Sequence, residues 1–185
     1  MPTVRLPDGK NLDVAPDATV ADVAAAIGPR LAKAAVAGKV NGQLVDLRSP
    51  VRDGGTVAIV TLKSDDPDAL YVLRHSAAHV MAQAICELFP STQLVYGPPV
   101  DDGFYYDIDL DRPLTPEDFP AIEARMADII QADRPFTRVE MDRRQGLEKV
   151  RAEGSRYKID NAERADGDLS FYVTGTGTGR DFEDL

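Results

Sequence analysis

The two histidines of the chain, His75 and His79, stand four residues apart in the run RHSAAHVMAQAICELFP, from Arg74 to Pro90. On a helix that spacing separates two side chains by about 6 Å along the axis and roughly 40° around it. Imidazoles so placed can address one small object: a metal, a water or the polar end of a substrate. Because imidazole titrates near neutral pH, the chemistry within reach is proton transfer, water orientation or metal ligation. Zinc wants more, four ligands in a structural site or three plus water in a catalytic one. The chain has no third histidine and a single cysteine. Cys86 shares the helix face but follows His79 by about 10 Å along the axis, and the glutamate of a zincin motif is missing. A metal site is therefore unsupported by these residues. Taken alone, H-x-x-x-H is a weak motif, met equally well by two surface histidines on a helix flank.

The helix that must carry the pair is expected from about Pro67 to Leu88, opened by acidic residues that suit its N-terminal dipole. Leu73, Ala77, Val80, Met81, Ala84, Ile85 and Leu88 form its apolar stripe, so the histidines border the buried face. QLVYGPPVDDGFYYDIDL then reads as a hairpin or two adjacent strands, with Phe104, Tyr106, Ile108 and Leu110 alternating against Tyr105, Asp107 and Asp109. Thr115-Pro116-Glu117-Asp118 carries the signals of a helix start, with Phe119, Ile122, Met126, Ile129 and Ile130 as the face to be buried. FTRVEM is strand-like, and a third helix is expected from about Arg143 to Ala152, ending at Gly154. TGTGTGRD, Thr174 to Asp181, lacks the ending of a phosphate loop and reads as a flexible turn.

Ahead of the polar stretch SDDPDA lies a separate compact pattern. VRLPDGKNLDV signals a hairpin around Pro7-Asp8-Gly9. TVADVAAAI is a helix with Thr19 as its cap and Gly28-Pro29 as its stop. AAVAGKVNGQLVDL gives two strand-like runs broken at Asn41-Gly42, and TVAIVTL closes the unit as a buried strand. The order β-β-α-β-β-β is the β-grasp arrangement, and the whole chain is placed in the α+β class.

Composition narrows the setting. An apolar share of 43% over 185 residues supports one or two small domains with a real core. No apolar run is long enough to span a bilayer, and the N-terminus has no secretory pattern. One cysteine fits a reducing compartment, so a cytoplasmic protein without membrane contact is expected. The net charge of −10 is uneven: residues 65–133 carry 14 acidic and 3 basic side chains, residues 134–164 carry 6 and 9. Only the second of these stretches would attract a phosphate backbone, although a solvated helix face accounts for its charge equally well.

RHSAAHVMAQAI, GPPVDDGFYYDIDL, TPEDFPAIEARM, SRYKID and the closing FEDL follow one another in an order and spacing that carry a family resemblance over essentially the whole chain. Residues 1–63 resemble a TGS domain, the ubiquitin-like module of threonyl-tRNA synthetases and certain GTPases. Residues 64–185 resemble the editing domain that follows it in bacterial threonyl-tRNA synthetases, an α+β domain with helices packed on an antiparallel sheet. The family pattern continues with Cys-x-x-x-His where this chain stops at Asp184-Leu185. The resemblance therefore implies an N-terminal portion, cut before half of its pocket and expected to be weak or inactive alone. ATP and zinc belong to a ligase core it does not cover, so no cofactor is implied here.

What the resemblance implies is hydrolysis of the seryl ester on the 3′ end of tRNA(Thr), with His75 and His79 orienting water or the terminal ribose. Lys158 would be the proton-handling or charge-stabilising group, Tyr106 a pocket wall and donor, and Asp184 an acceptor for the substrate ammonium. Without it, Lys158 reads as a surface lysine, Asp184 as a frayed terminal acid and Tyr106 as packing. Much of the tRNA affinity, and the homodimer usual for the family, would come from domains outside this chain. Two other readings stand beside this one. One is a free-standing editing factor of the alanyl-related class, which shares the histidine motif but carries no TGS domain. The other is a non-catalytic module that docks RNA or a protein partner.

Overall fold

A computed structural model of the chain describes residues 1–62, 67–175 and 181–185, grouped in two compact units, Met1–Arg74 and His75–Leu185. The domain boundary expected at 63/64 lies outside the described residues, as does most of the TGTGTGRD turn.

In the first unit local turn chemistry fixes the register. β1 (Thr3–Arg5) and β2 (Asn11–Asp13) pair antiparallel, Val4 opposite Leu12, around the Pro7-Asp8-Gly9 turn. α1 (Val20–Ile27) opens with a reciprocal capping box: Thr19 Oγ1 accepts from the Asp22 backbone, and Asp22 accepts from the Thr19 backbone at 2.8 Å. α1 stops at Gly28 as expected, and a second short helix not expected from the sequence, α2 (Pro29–Ala34), starts at once because proline suits a first helical position. β3 (Ala35–Val40) and β4 (Gln43–Val45) form a hairpin whose turn residues Asn41 and Gly42 both adopt positive φ, 52° and 83°. Asn-Gly is the pair such a turn favours. β5 (Val57–Thr61) flanks β3, and a parallel bridge from Arg5 to Thr56 ties the first hairpin to it. Val4, Val20, Val23 and Val57 are fully buried at the centre. The β-grasp order is thus present, with α2 added.

α3 (Pro67–Leu88) begins in the first unit, where Ala69 packs on Ala37 and Val60, and continues into the second. Its expected stripe holds at Val80, Ala84 and Ile85, whereas Leu73 is 48% exposed. In the second unit β6 (Gln93–Tyr96) pairs with β9 (Asp107–Asp109), and β7 (Pro99–Val100) with β8 (Gly103–Phe104) nested inside, both antiparallel. α4 (Phe119–Gln131) starts later than Thr115 suggested. The Asp118 carboxylate closes a turn onto the Thr115 N–H at 2.9 Å and takes a fork from Arg112, so the capping signals serve that turn instead. Ile122 and Ile129 are buried as expected; Phe119 and Ile130 are exposed.

β10 (Phe136–Met141) leads to α5 (Arg143–Glu153), capped by Asp142 and ended by Gly154 at φ 75°. α6 (Arg156–Arg164), capped by Ser155, and β11 (Leu169–Thr174) were not foreseen; β12 (Phe182–Asp184) completes an antiparallel sheet in the order β10-β11-β12. Alternation divides that sheet. Leu169, Phe171 and Met141 face α5 and α6 with Val150 and Ala162, while Tyr172 and Asp184 point to the opposite face.

Candidate active site

The second half of α3, the loop joining β8 to β9, α6 and β12 converge on one carboxylate. Asp184 is 4% exposed, not a frayed terminal acid. Its Oδ2 lies 3.3 Å from His79 Nδ1 and accepts the Tyr106 hydroxyl. Oδ1 accepts the Leu185 N–H at 3.0 Å, and the Lys158 ammonium stands 4.0 Å away. Burial by itself would raise this carboxyl, but the hydrogen bonds from His79 and Tyr106, with the neighbouring positive charge, hold it below the usual range.

The contacts continue outward. His79 Nε2 and His75 Nε2 are 3.1 Å apart, so one ring donates to the other. With His79 neutral and its Nδ1–H given to Asp184, Nε2 is the acceptor and His75 the donor. Burial, then the adjacent His79, lowers the proton affinity of His75, against the opposing pull of Asp184. Asp184, His79 and His75 thus form one hydrogen-bonded series, in which an imidazole is oriented as a general base must be.

Tyr106 is held as a phenol: burial raises its pKa, and the Asp184 charge and hydrogen bond raise it further. Gly97 lies against its ring so closely that a Cβ there would overlap it. Tyr106 is therefore a positioned donor as well as a packed ring. Lys158 is not a surface lysine; its side chain is 12% exposed, and Nζ donates to the Glu183 carbonyl at 2.8 Å and reaches Glu153 at 3.5 Å. Ser155 as cap of α6 fixes the first turn from which Lys158 projects. Lys158 also lines a cavity of about 320 Å³ with Cys86, Thr92, Glu153, Phe182 and Glu183; the histidines are not in its lining. Burial first, and then Asp184, push the Cys86 thiol up to about 11, which keeps it a poor nucleophile.

All five residues singled out from the sequence are thus brought into one chain of contacts, with Lys158 joined to the imidazoles through Asp184. Among the described residues, no group of three or more His, Cys, Asp or Glu is placed to hold a metal ion. One member went unforeseen. Tyr172 sits directly opposite Asp184 in the β11–β12 register, with its ring beside both imidazoles. Only the alternation of LSFYVT hinted at which way it points.

Comparison with known proteins agrees along the whole length. The TGS domain model matches residues 2–61. The threonine–tRNA ligase of Rubrobacter xylanophilus is 47% identical over 186 residues, covering 100% of this chain and 28% of that protein. That of Pelobacter propionicus is 44% identical over 183 residues, covering 99% and 28%. That of Novosphingobium aromaticivorans is 47% identical over 175 residues, covering 93% and 26%. The chain spans a little over a quarter of the length of these relatives. It is therefore homologous from end to end to the N-terminal part of threonine–tRNA ligases, and its first 61 residues hold their ubiquitin-like TGS domain.

Proposed function

We propose that the second unit hydrolyses the seryl ester at the 3′ end of tRNA(Thr), proofreading on behalf of a threonine–tRNA ligase. The need is physical. Serine lacks one methyl of threonine, worth about 1–3 kcal/mol in a pocket, so binding alone discriminates only about 10- to 200-fold. A second site that destroys the wrong ester supplies the difference. The observation that carries the reading is the buried Asp184–His79–His75 series.

In this mechanism His75 and His79 fix the attacking water or the terminal ribose, and the pair takes the proton released as the tetrahedral intermediate forms. Asp184 holds the His79 ring in one tautomer. What acceptor capacity remains on its Oδ1 faces Lys158 and would receive the substrate ammonium. Lys158 stabilises developing negative charge, and Tyr106 walls the pocket and locks the carboxylate. ATP and zinc would serve only the ligation chemistry of the larger relatives. With two histidines and one cysteine in all, the chain does not match the Cys-x-x-x-His element of the editing family, so we expect slow hydrolysis from it alone. Partners in this reading are tRNA(Thr) and its charged 3′ end. The basic residues between Arg134 and Arg164 help hold the polyanion. The TGS match favours this over the alanyl-related factor.

The test is direct. tRNA(Thr) charged with labelled serine should lose it faster with the protein than in buffer, while the threonyl ester is spared. Loss of both esters at the buffer rate would refute the proposal and leave RNA docking as the role.

A further inference from the structure

Glu153 is the last residue of α5, where the negative end of the helix dipole disfavours a carboxylate. It also follows Lys149 by four residues, the order of charges that stabilises a helix less. Helix stability does not account for an acid there; its contacts do. Oε1 lies 3.2 Å from Lys149 Nζ and Oε2 lies 3.5 Å from Lys158 Nζ, so one carboxylate bridges two ammoniums. Lys149 is anchored in turn, 2.7 Å from Glu183 Oε1 and 5.6 Å from the centre of the buried Phe171 ring.

The Lys158 ammonium therefore has two carboxylates in reach, Glu153 at 3.5 Å and Asp184 at 4.0 Å, and gives an N–H to the Glu183 carbonyl at 2.8 Å. At such separations the two charge attractions are close in size, so Glu153 offsets the pull of Asp184. The backbone makes the arrangement local. Gly154 at φ 75° ends α5 and Ser155 caps α6, which sets Glu153 and Lys158 on either side of one turn. Both line the cavity of about 320 Å³.

We propose that Glu153 is a positioning residue of this site: held by Lys149, it competes with Asp184 for the Lys158 ammonium and keeps that ammonium short of direct contact with Asp184. Two things follow from the separation. Asp184 keeps Oδ2 for His79 and Tyr106 and the remaining capacity of Oδ1 for a substrate ammonium. Lys158 keeps its charge available to a developing oxyanion. The role in turnover rests on the hydrolytic reading above; the restraint on Lys158 does not.

The test is a double-mutant cycle on Glu153→Gln, which keeps the size and removes the charge, and Lys158→Met. In Glu153→Gln the ammonium should close on Asp184, and the His79 ring resonances, read by NMR in a chain with two histidines, should shift. The same substitution on the Lys158→Met background should leave them in place. For the seryl ester, Glu153→Gln should lower kcat/KM about 10-fold with Lys158 present and not at all without it, the coupling expected of residues that share a contact. Arg151→Gln, which removes the exposed Arg151–Glu163 pair from the same helix end, should change neither readout. Unmoved His79 resonances in Glu153→Gln, or an equal effect with and without Lys158, would overturn the proposal. Should the wild type not hydrolyse the ester, the hydrolytic reading fails, and the NMR cycle still decides whether Glu153 restrains Lys158.

Discussion

The two units bury different things. The first packs Val4, Val14, Val20, Val23, Val51 and Val57 with alanines, and no polar side chain is buried in it among the described residues. The second buries Gln83, Thr174 and Asp184, and half-buries two imidazoles and a phenol around that carboxylate. Burying a charge is costly unless it is paired and hydrogen-bonded, and in the second unit Asp184 is met by His79, Tyr106, Leu185 and Lys158. The lesson is a division of labour. The buried side chains of the first unit are apolar among the described residues, whereas the second carries a hydrogen-bonded polar network around Asp184.

The sharpest way to break that contrast is Asp184→Asn. An amide can donate to His79 and impose the wrong tautomer, a change that in a related arrangement of serine proteases costs about 10⁴-fold in rate. A loss of that order in single-turnover serine release is expected, with amide exchange in the first unit unchanged. Next in size is Phe171→Ala. Phe171 is the largest fully buried side chain among the described residues, and its truncation should cost about 3–5 kcal/mol by chemical denaturation, felt in the second unit alone. Thr19→Ala is the counterpart in the first unit. It removes the capping box and should cost about 1 kcal/mol there, leaving hydrolysis untouched.

What could be read from residues was what neighbours in sequence decide. Asn41-Gly42, Pro7-Asp8-Gly9 and the Thr19 cap each act within a few positions, and the hairpins and α1 follow. The signals at Thr115 misled because Asp118 was claimed by Arg112 and by a turn, which no local pattern reveals. The site was legible at His75 and His79, one turn apart on a helix. The expectations for Lys158, Tyr106 and Asp184 came with the resemblance, not from their own surroundings. Tyr106 meets Asp184 across 78 residues, and the partnership of Tyr172 with Asp184 depends on the pairing of β11 with β12. Long-range register of that kind leaves no periodicity to read.

pH separates the units by a smaller margin. His75 in the folded state binds a proton less readily than an ordinary imidazole, so below about 6.5 the unfolded chain takes up more protons and stability declines. Asp184 is the opposite case in charge: its stabilisation is complete above 3.8 and is lost as pH falls through its depressed folded value. In the first unit the lowered carboxyls, Asp8 and Asp22, are exposed and act only in that lower range. Hydrogen exchange at pH 8 and pH 5 should therefore show weakened protection in the second unit and none lost in the first.

The pH dependence of enzyme-dependent seryl-ester hydrolysis tests most directly whether the imidazole pair is the base. A rate that rises to a plateau, with its apparent midpoint below the ordinary imidazole value of 6.5, is what the buried Asp184–His79–His75 series predicts. A rate that keeps climbing tenfold with each pH unit through pH 9, as free hydroxide would give, contradicts it.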